Sequence, residues 1–127
     1  MLRLGTVVMG AEDVERAAAF WAAVFDYELV GFDEAENDFT ILVPHDRIGT
    51  RIALQRAETP VQDHPRVHID LVVDTAEEQR SEIDRLVALG ATVAMWDSYP
   101  ADPSHADFVV MADTEGNRFC IVDAGHG

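Results

Sequence analysis

One order of hydrophobic periods occurs twice in this chain: an alternating apolar run, a stretch with apolar residues every three or four positions, then three more short runs. Period two marks strands and a period near 3.6 marks helices. Each half therefore reads as strand, helix and three strands. Such a unit, about sixty residues long, covers one face of its sheet with its helix and leaves the other face bare, so two units must close on each other or around a ligand. The expected fold class is α+β, two tandem βαβββ modules whose open faces make a concave cleft. Module one spans about residues 1–57 and module two about 66–124. Ala57 to Pro65, broken by Thr59-Pro60 and His64-Pro65, is the linker. The whole chain, 127 residues, is one domain's worth.

In the first half, Leu4 to Met9 alternates as a strand, and Gly10-Ala11-Glu12 is expected to turn the chain. Asp13 is placed to cap a helix, with Glu12 and Glu15 near its positive end. Val14, Ala17, Ala18, Trp21, Val24 and Phe25 then form an amphipathic stripe, on which Trp21 and Phe25 read as core anchors. Strands follow at Glu28 to Asp33, Asp38 to Val43 and Thr50 to Arg56, the first two joined by Glu34-Ala35-Glu36-Asn37, which has hairpin chemistry. In the last of them Ile52 and Leu54 share one face, and Arg51, Ala53 and Gln55 the other.

The second half opens on Val67 to Val73. Val67, Ile69, Leu71 and Val73 point to one face, and His68, Asp70 and Val72 to the other. Thr75 and Glu78 have the spacing of a capping box, Ile83, Leu86 and Val87 make a helical stripe, and Gly90 ends it. Three strands follow at Thr92 to Trp96, Phe108 to Ala112 and Arg118 to Val122. The last two are joined by Asp113-Thr114-Glu115-Gly116-Asn117, a tight turn in which Gly116 takes a positive φ. Ser98 to Ala106 is long enough for a lid, with Trp96, Tyr99 and Phe108 supplying aromatic surface near it.

His68 and Asp70 are open to two readings. They are a catalytic pair, with Asp70 orienting an imidazole that moves a proton, or a buried polar pair satisfied by its surroundings. Cys120 is a nucleophile, a ligand or, as is commoner for a free cysteine, a small buried hydrophobe. Arg51 and Arg118 share a face with Ala53 and Cys120, where they receive a carboxylate or reach solvent at a rim. His45, His64, His105 and His126 sit in loops or at the terminus without a shared spacing and read as solvated.

Nine basic against twenty-four acidic side chains give a net charge of −15. Such a field repels phosphate backbones and anionic lipid, so neither nucleic acid nor a membrane is an expected partner, whereas a cationic ligand or a metal ion would be attracted, unless the acidity serves solubility alone. The N-terminus has no basic region followed by a long apolar run, and no apolar stretch reaches membrane-spanning length. The expected location is cytoplasmic. A single cysteine excludes an internal disulfide and a multi-cysteine zinc site, which agrees with a reducing compartment.

Three stretches together resemble the vicinal oxygen chelate superfamily of glyoxalases, bleomycin-resistance proteins and extradiol dioxygenases. They are Asp13-Val14-Glu15-Arg16-Ala17-Ala18-Ala19-Phe20-Trp21, His68 on the opening strand of the second half, and Asp113-Thr114-Glu115-Gly116-Asn117-Arg118-Phe119-Cys120. The resemblance covers essentially the whole chain and is closest to the small bacterial glyoxalase-like branch. It implies paired βαβββ modules around a U-shaped cleft and, commonly, a homodimer. It also implies, in metal-dependent members, a divalent ion held by one ligand from the first and one from the last strand of each module. At those positions this chain has Thr6, Ala53, His68 and Cys120. Only His68 matches the usual set. A substitute set of His68, Asp70, Gln55 and Cys120 is geometrically conceivable, yet residues two apart on a strand point in parallel and do not converge.

The expectation is therefore a glyoxalase-like protein that needs no cofactor, or at most binds a divalent metal weakly. It binds a small organic molecule in the cleft, with His68 and Asp70 as the proton-transfer pair and Thr6, Arg51, Gln55, Trp96, Phe108 and Cys120 as the residues around the ligand. A non-catalytic module that sequesters a drug or metabolite is the second class. A divalent-metal-dependent lyase, isomerase or dioxygenase is the third, set back by Thr6, Ala53 and Cys120.

Overall fold

The computed structural model describes residues 1–30, 38–94 and 108–125. The chain divides into two compact units, Met1–Pro60 and Val61–Gly127. The first contains β1 (Thr6–Ala11), α1 (Val14–Phe25), β2 (Glu28–Val30), β3 (Phe39–Val43) and β4 (Arg51–Arg56). The second contains β5 (Ile69–Val73), α2 (Ala76–Leu89), β6 (Thr92–Val93), β7 (Phe108–Ala112) and β8 (Arg118–Asp123). Strand order is β1-β4-β3-β2 in one sheet and β5-β8-β7-β6 in the other, so the two βαβββ units share one topology. In each, the opening and closing strands pair in parallel and the other pairs are antiparallel. The α+β class with two such modules is what the repeated pattern predicts.

Local chemistry sets the helix ends. The Asp13 carboxylate accepts from the Arg16 amide at 3.0 Å, satisfying one of the donors a helix start leaves open. Thr75 does the same for Glu78 at 3.0 Å, and Glu78 reaches back to the Asp74 amide at 3.2 Å, closing the capping box one residue further out than the simplest form. Gly90, at φ 118, ends α2 in the left-handed region.

In the first unit, Val14, Ala17, Ala18, Phe20 and Trp21 of α1 are buried, with Trp21 stacked on Phe25 at 5.6 Å and meeting Phe20 edge-on at 5.1 Å. Phe20 joins the predicted stripe, which Val24 and Phe25 complete only in part, being half-buried. In the second unit, Leu86 and Gln79 are the buried residues of α2, and the Gln79 side-chain amide donates to the Ile121 carbonyl at 2.8 Å. Val87, expected on the buried stripe, is exposed. Leu86 and Gln79, seven residues apart, hold the packed face, and Val87 lies past its edge.

Two strands, β1 and β5, depart from expectation by two residues at an end, and β3, β4 and β8 by one. The first strand starts at Thr6 and runs through Gly10 to Ala11, because its parallel ladder with β4 extends to Ala11↔Arg56. Gly10 belongs to that strand, where a Cβ would stand only 2.8 Å from that of Ala57. The second correction concerns Val67, which is 84% exposed and precedes β5. Its parallel partner β8 begins at Arg118, just after the Asp113–Asn117 turn, and the first pair of the ladder is Ile69↔Phe119, which leaves Val67 level with the turn. The expected Glu34–Asn37 hairpin, the Ser98–Ala106 loop, His105, His126 and Trp96 lie outside the described residues. Among the described residues no helix is long and apolar enough to cross a membrane.

Candidate functional site

Strand register places the chemistry of the second unit. Asp70 is the Cα partner of Cys120 on β8, and Val110 of β7 is the partner of Cys120 on its other side. With period two, Asp70, Val72, Cys120, Val122, Val110 and Phe108 share one face of the sheet. The opposite face, carrying Ile69, Leu71 and Val73, lies under α2. His68 stands one residue before β5 on the side of Asp70.

Three of these side chains converge. A ligating atom from each of His68, Asp70 and Cys120 lies within 4.8 Å of the others. His68 Nε2 is 3.1 Å from Asp70 Oδ1, and the Cys120 thiol donates a hydrogen bond to the same carboxylate. Cys120 is fully buried between Phe119 and Ile121 in the middle of the sheet. Burial, and then the charge and hydrogen bond of Asp70, push its thiol up to about 11, so it stays protonated and acts as a donor. His68 and Asp70 themselves are not buried: their side chains are 32% and 52% exposed. The expectation of a buried polar pair is thereby corrected. β5 lies at the edge of its sheet, which leaves the imidazole and carboxylate partly exposed.

The remaining sequence candidates stand elsewhere. Thr6 pairs with Arg51 across the β1–β4 ladder, and Gln55 pairs with Gly10 and Phe39, all in the first unit. Phe108 is half-buried on the Cys120 face of the second sheet. Arg118 donates to Asp63 at 2.9 Å and to the Gly116 carbonyl at 2.7 Å, so its guanidinium buttresses the chain around the turn.

Because the two sheets share one topology, their registers can be aligned. Val8↔Ala53 in the first unit occupies the place of Asp70↔Cys120 in the second, and Thr6 that of His68. One hydroxyl and two hydrocarbon side chains therefore stand where the second unit has an imidazole, a carboxylate and a thiol. The divalent ion of metal-dependent superfamily members draws ligands from both modules, and Ala53 has none to give. Among the described residues, the second unit's cluster offers one nitrogen, one oxygen and one sulfur, with the thiol protonated, which does not fit an oxygen-rich octahedral ion. The residues present do not fit the group.

The family model described as a glyoxalase-like domain matches residues 6–122. No functionally curated protein matches the sequence. Among solved structures, the chain is similar to the genomically encoded fosfomycin resistance protein FosX from Listeria monocytogenes. That match has TM-score 0.72 and 16% identity, and it covers 98% of this chain and 92% of that one. A glyoxalase/bleomycin resistance protein/dioxygenase family enzyme from Burkholderia phytofirmans PsJN superposes with TM-score 0.67 at 18% identity, covering 96% and 98%. A glyoxalase-related enzyme from Fulvimarina pelagi gives 0.66 at 18%, covering 97% and 88%. At these identities the structural likenesses establish the fold, and the family match does the rest: the chain belongs to the glyoxalase-like domain family of the vicinal oxygen chelate superfamily.

Proposed function

We propose that the protein holds a small organic molecule against the face of the second sheet that carries Asp70 and Cys120, and that His68 moves a proton on it. The observation that carries this reading is the 3.1 Å contact between His68 Nε2 and Asp70 Oδ1 on an exposed strand edge. A carboxylate on one ring nitrogen fixes the imidazole's orientation, and in this reading the imidazole exchanges a proton with the ligand. The buried thiol of Cys120 is bonded to the same carboxylate. The reaction needs no metal or cofactor in this reading. Protein purified without chelator or metal-affinity tag then carries no stoichiometric divalent ion, and one ion per chain would overturn that part.

Asp70 is half exposed, and its neighbour on the same face, Val72, is 62% exposed. An anionic group beside apolar surface, in a chain of net charge −15, suits a cation with an apolar body. The same pairing supports a second reading, retention of such a molecule without turnover.

Thermal-shift screening against basic drugs, aldehyde–thiol adducts and pterins finds the ligand class, since a ligand at a hundred times its Kd stabilises by about 2.7 kcal/mol. With a ligand in hand, His68→Ala is expected to abolish turnover and keep binding. Binding with no turnover by the unaltered protein would establish retention instead. Unchanged affinity in both His68→Ala and Asp70→Ala would exclude this face as the site.

A further inference from the structure

The first unit contains a groove that the His68 site does not use. It encloses about 880 Å³ and lies between the N-terminal segment Met1–Gly5 and the turn from Pro44 to Gly49. That volume is within the range, about 300 to 1,000 Å³, of pockets that hold small organic ligands. Its walls are apolar: Leu2, Leu4, Val30, Val43 and Ile48.

Its charge runs against that of the chain. Arg3, Arg47 and Arg51 all line the groove, three of the nine basic residues of the protein. None of the described lining residues is acidic, although twenty-four of the chain's 127 residues are. In a molecule whose net field repels anions, this is a local cationic place with a hydrophobic lining.

The groove is also built into the fold on both sides. The Arg51 amide donates to the Gly5 carbonyl at 2.9 Å, continuing the β1–β4 ladder and holding the N-terminal segment beside β4. On the other wall, Arg47 has φ 63, and its amide bonds the Pro44 carbonyl at 2.9 Å. The Ile48 amide bonds Asp46 Oδ1 at 2.9 Å, and the Arg47 guanidinium is tied to Glu28 at 3.2 Å, which fixes its direction. Guanidinium groups recognise carboxylate and related oxyanions through paired N–H donors, and arginine stems add apolar surface.

From this we propose that the groove is a binding site for an amphipathic organic anion, with an aliphatic or aromatic body against Leu4, Val43 and Ile48 and a carboxylate-type head between Arg3 and Arg51. The assignment is independent of the His68 site. It also calls for the opposite ligand charge, so the two are separable by experiment.

The test uses two probes with the same tail and opposite heads, octanoate and octyltrimethylammonium, each titrated calorimetrically into the full chain. Octanoate is expected to bind and the ammonium compound not to. Arg3→Ser/Arg51→Ser should weaken octanoate by at least about tenfold, because two charge-assisted contacts are removed. Leu4→Ser should weaken it with the charges intact, and His68→Ala should leave it unchanged. Both arginines are exposed, so the double variant is expected to unfold at the same temperature as the parent protein. Equal affinity for the two heads would overturn the proposal, as would undiminished octanoate binding in the double variant or no octanoate binding by the parent protein.

Discussion

Asp70 and Cys120 face each other across the parallel β5–β8 ladder, and the thiol donates to the carboxylate that also holds His68. This couples a buried group to an exposed one. A change at either end is felt at the other, and the coupling can be measured in both directions.

The thiol titrates at about 11 in the folded protein against 9.0 for an unperturbed cysteine. The unfolded chain therefore releases this proton first, and the thiol's contribution to stability, complete below about pH 9, is lost as pH rises towards 11. Two pH units correspond to at most about 2.7 kcal/mol. Denaturation midpoints followed across this range should fall more steeply for the parent protein than for Cys120→Ala, and equal slopes would refute the coupling. In Asp70→Asn the thiolate absorbance should titrate lower than in the parent, since the carboxylate's charge and hydrogen bond are both gone.

His68→Ala should cost little stability, within about 1 kcal/mol, because an exposed ion pair contributes little. Its effect on turnover, where a substrate is found, should be about a hundredfold or more. A large loss of stability with unaltered turnover would make the pair structural.

Thr40 lies in the first unit's core, fully buried, with a hydroxyl that has no hydrogen-bond partner among the described residues. Thr40→Val keeps the shape and removes the unsatisfied group. The variant should be more stable by about 1 kcal/mol, read as a raised denaturant midpoint with an unchanged slope.

Asp113 is the buried acid of the turn before β8. Its carboxylate accepts from the amides of Glu115 and Asn117 at 2.8 and 2.9 Å, and from the Asn117 side chain at 3.3 Å. Asp113→Ala leaves these donors without their acceptor and should cost about 2 kcal/mol or more. Chemical denaturation decides it, and a neutral result would show that water replaces the carboxylate.

Features set by neighbours in sequence were legible before the structure. The Asp13 and Thr75 caps, the Gly90 stop and the Gly116 turn each follow from a few adjacent residues, and both helices lie where the apolar spacing puts them. Features set by a distant partner were not. Where β5 begins depends on how far β8 reaches, and the meeting of Cys120 with Asp70 depends on the register of strands fifty residues apart. The exposure of His68 follows from the edge position of β5, which no local pattern encodes. The arginine-lined groove was missed because a coil segment and a turn build it, and neither has a period to read. The faint signal was three arginines flanking short apolar runs in an acidic chain.

The Asp113–Asn117 turn acts as a ruler. It sets the residue at which β8 starts, and hence which β8 side chain stands opposite Asp70. A slip of one place would send Cys120 to the helix side and bring Phe119 or Ile121 against the carboxylate. The acidic, glycine-containing segment that most strongly marks the sequence therefore keeps the count for a site whose chemistry it does not itself supply.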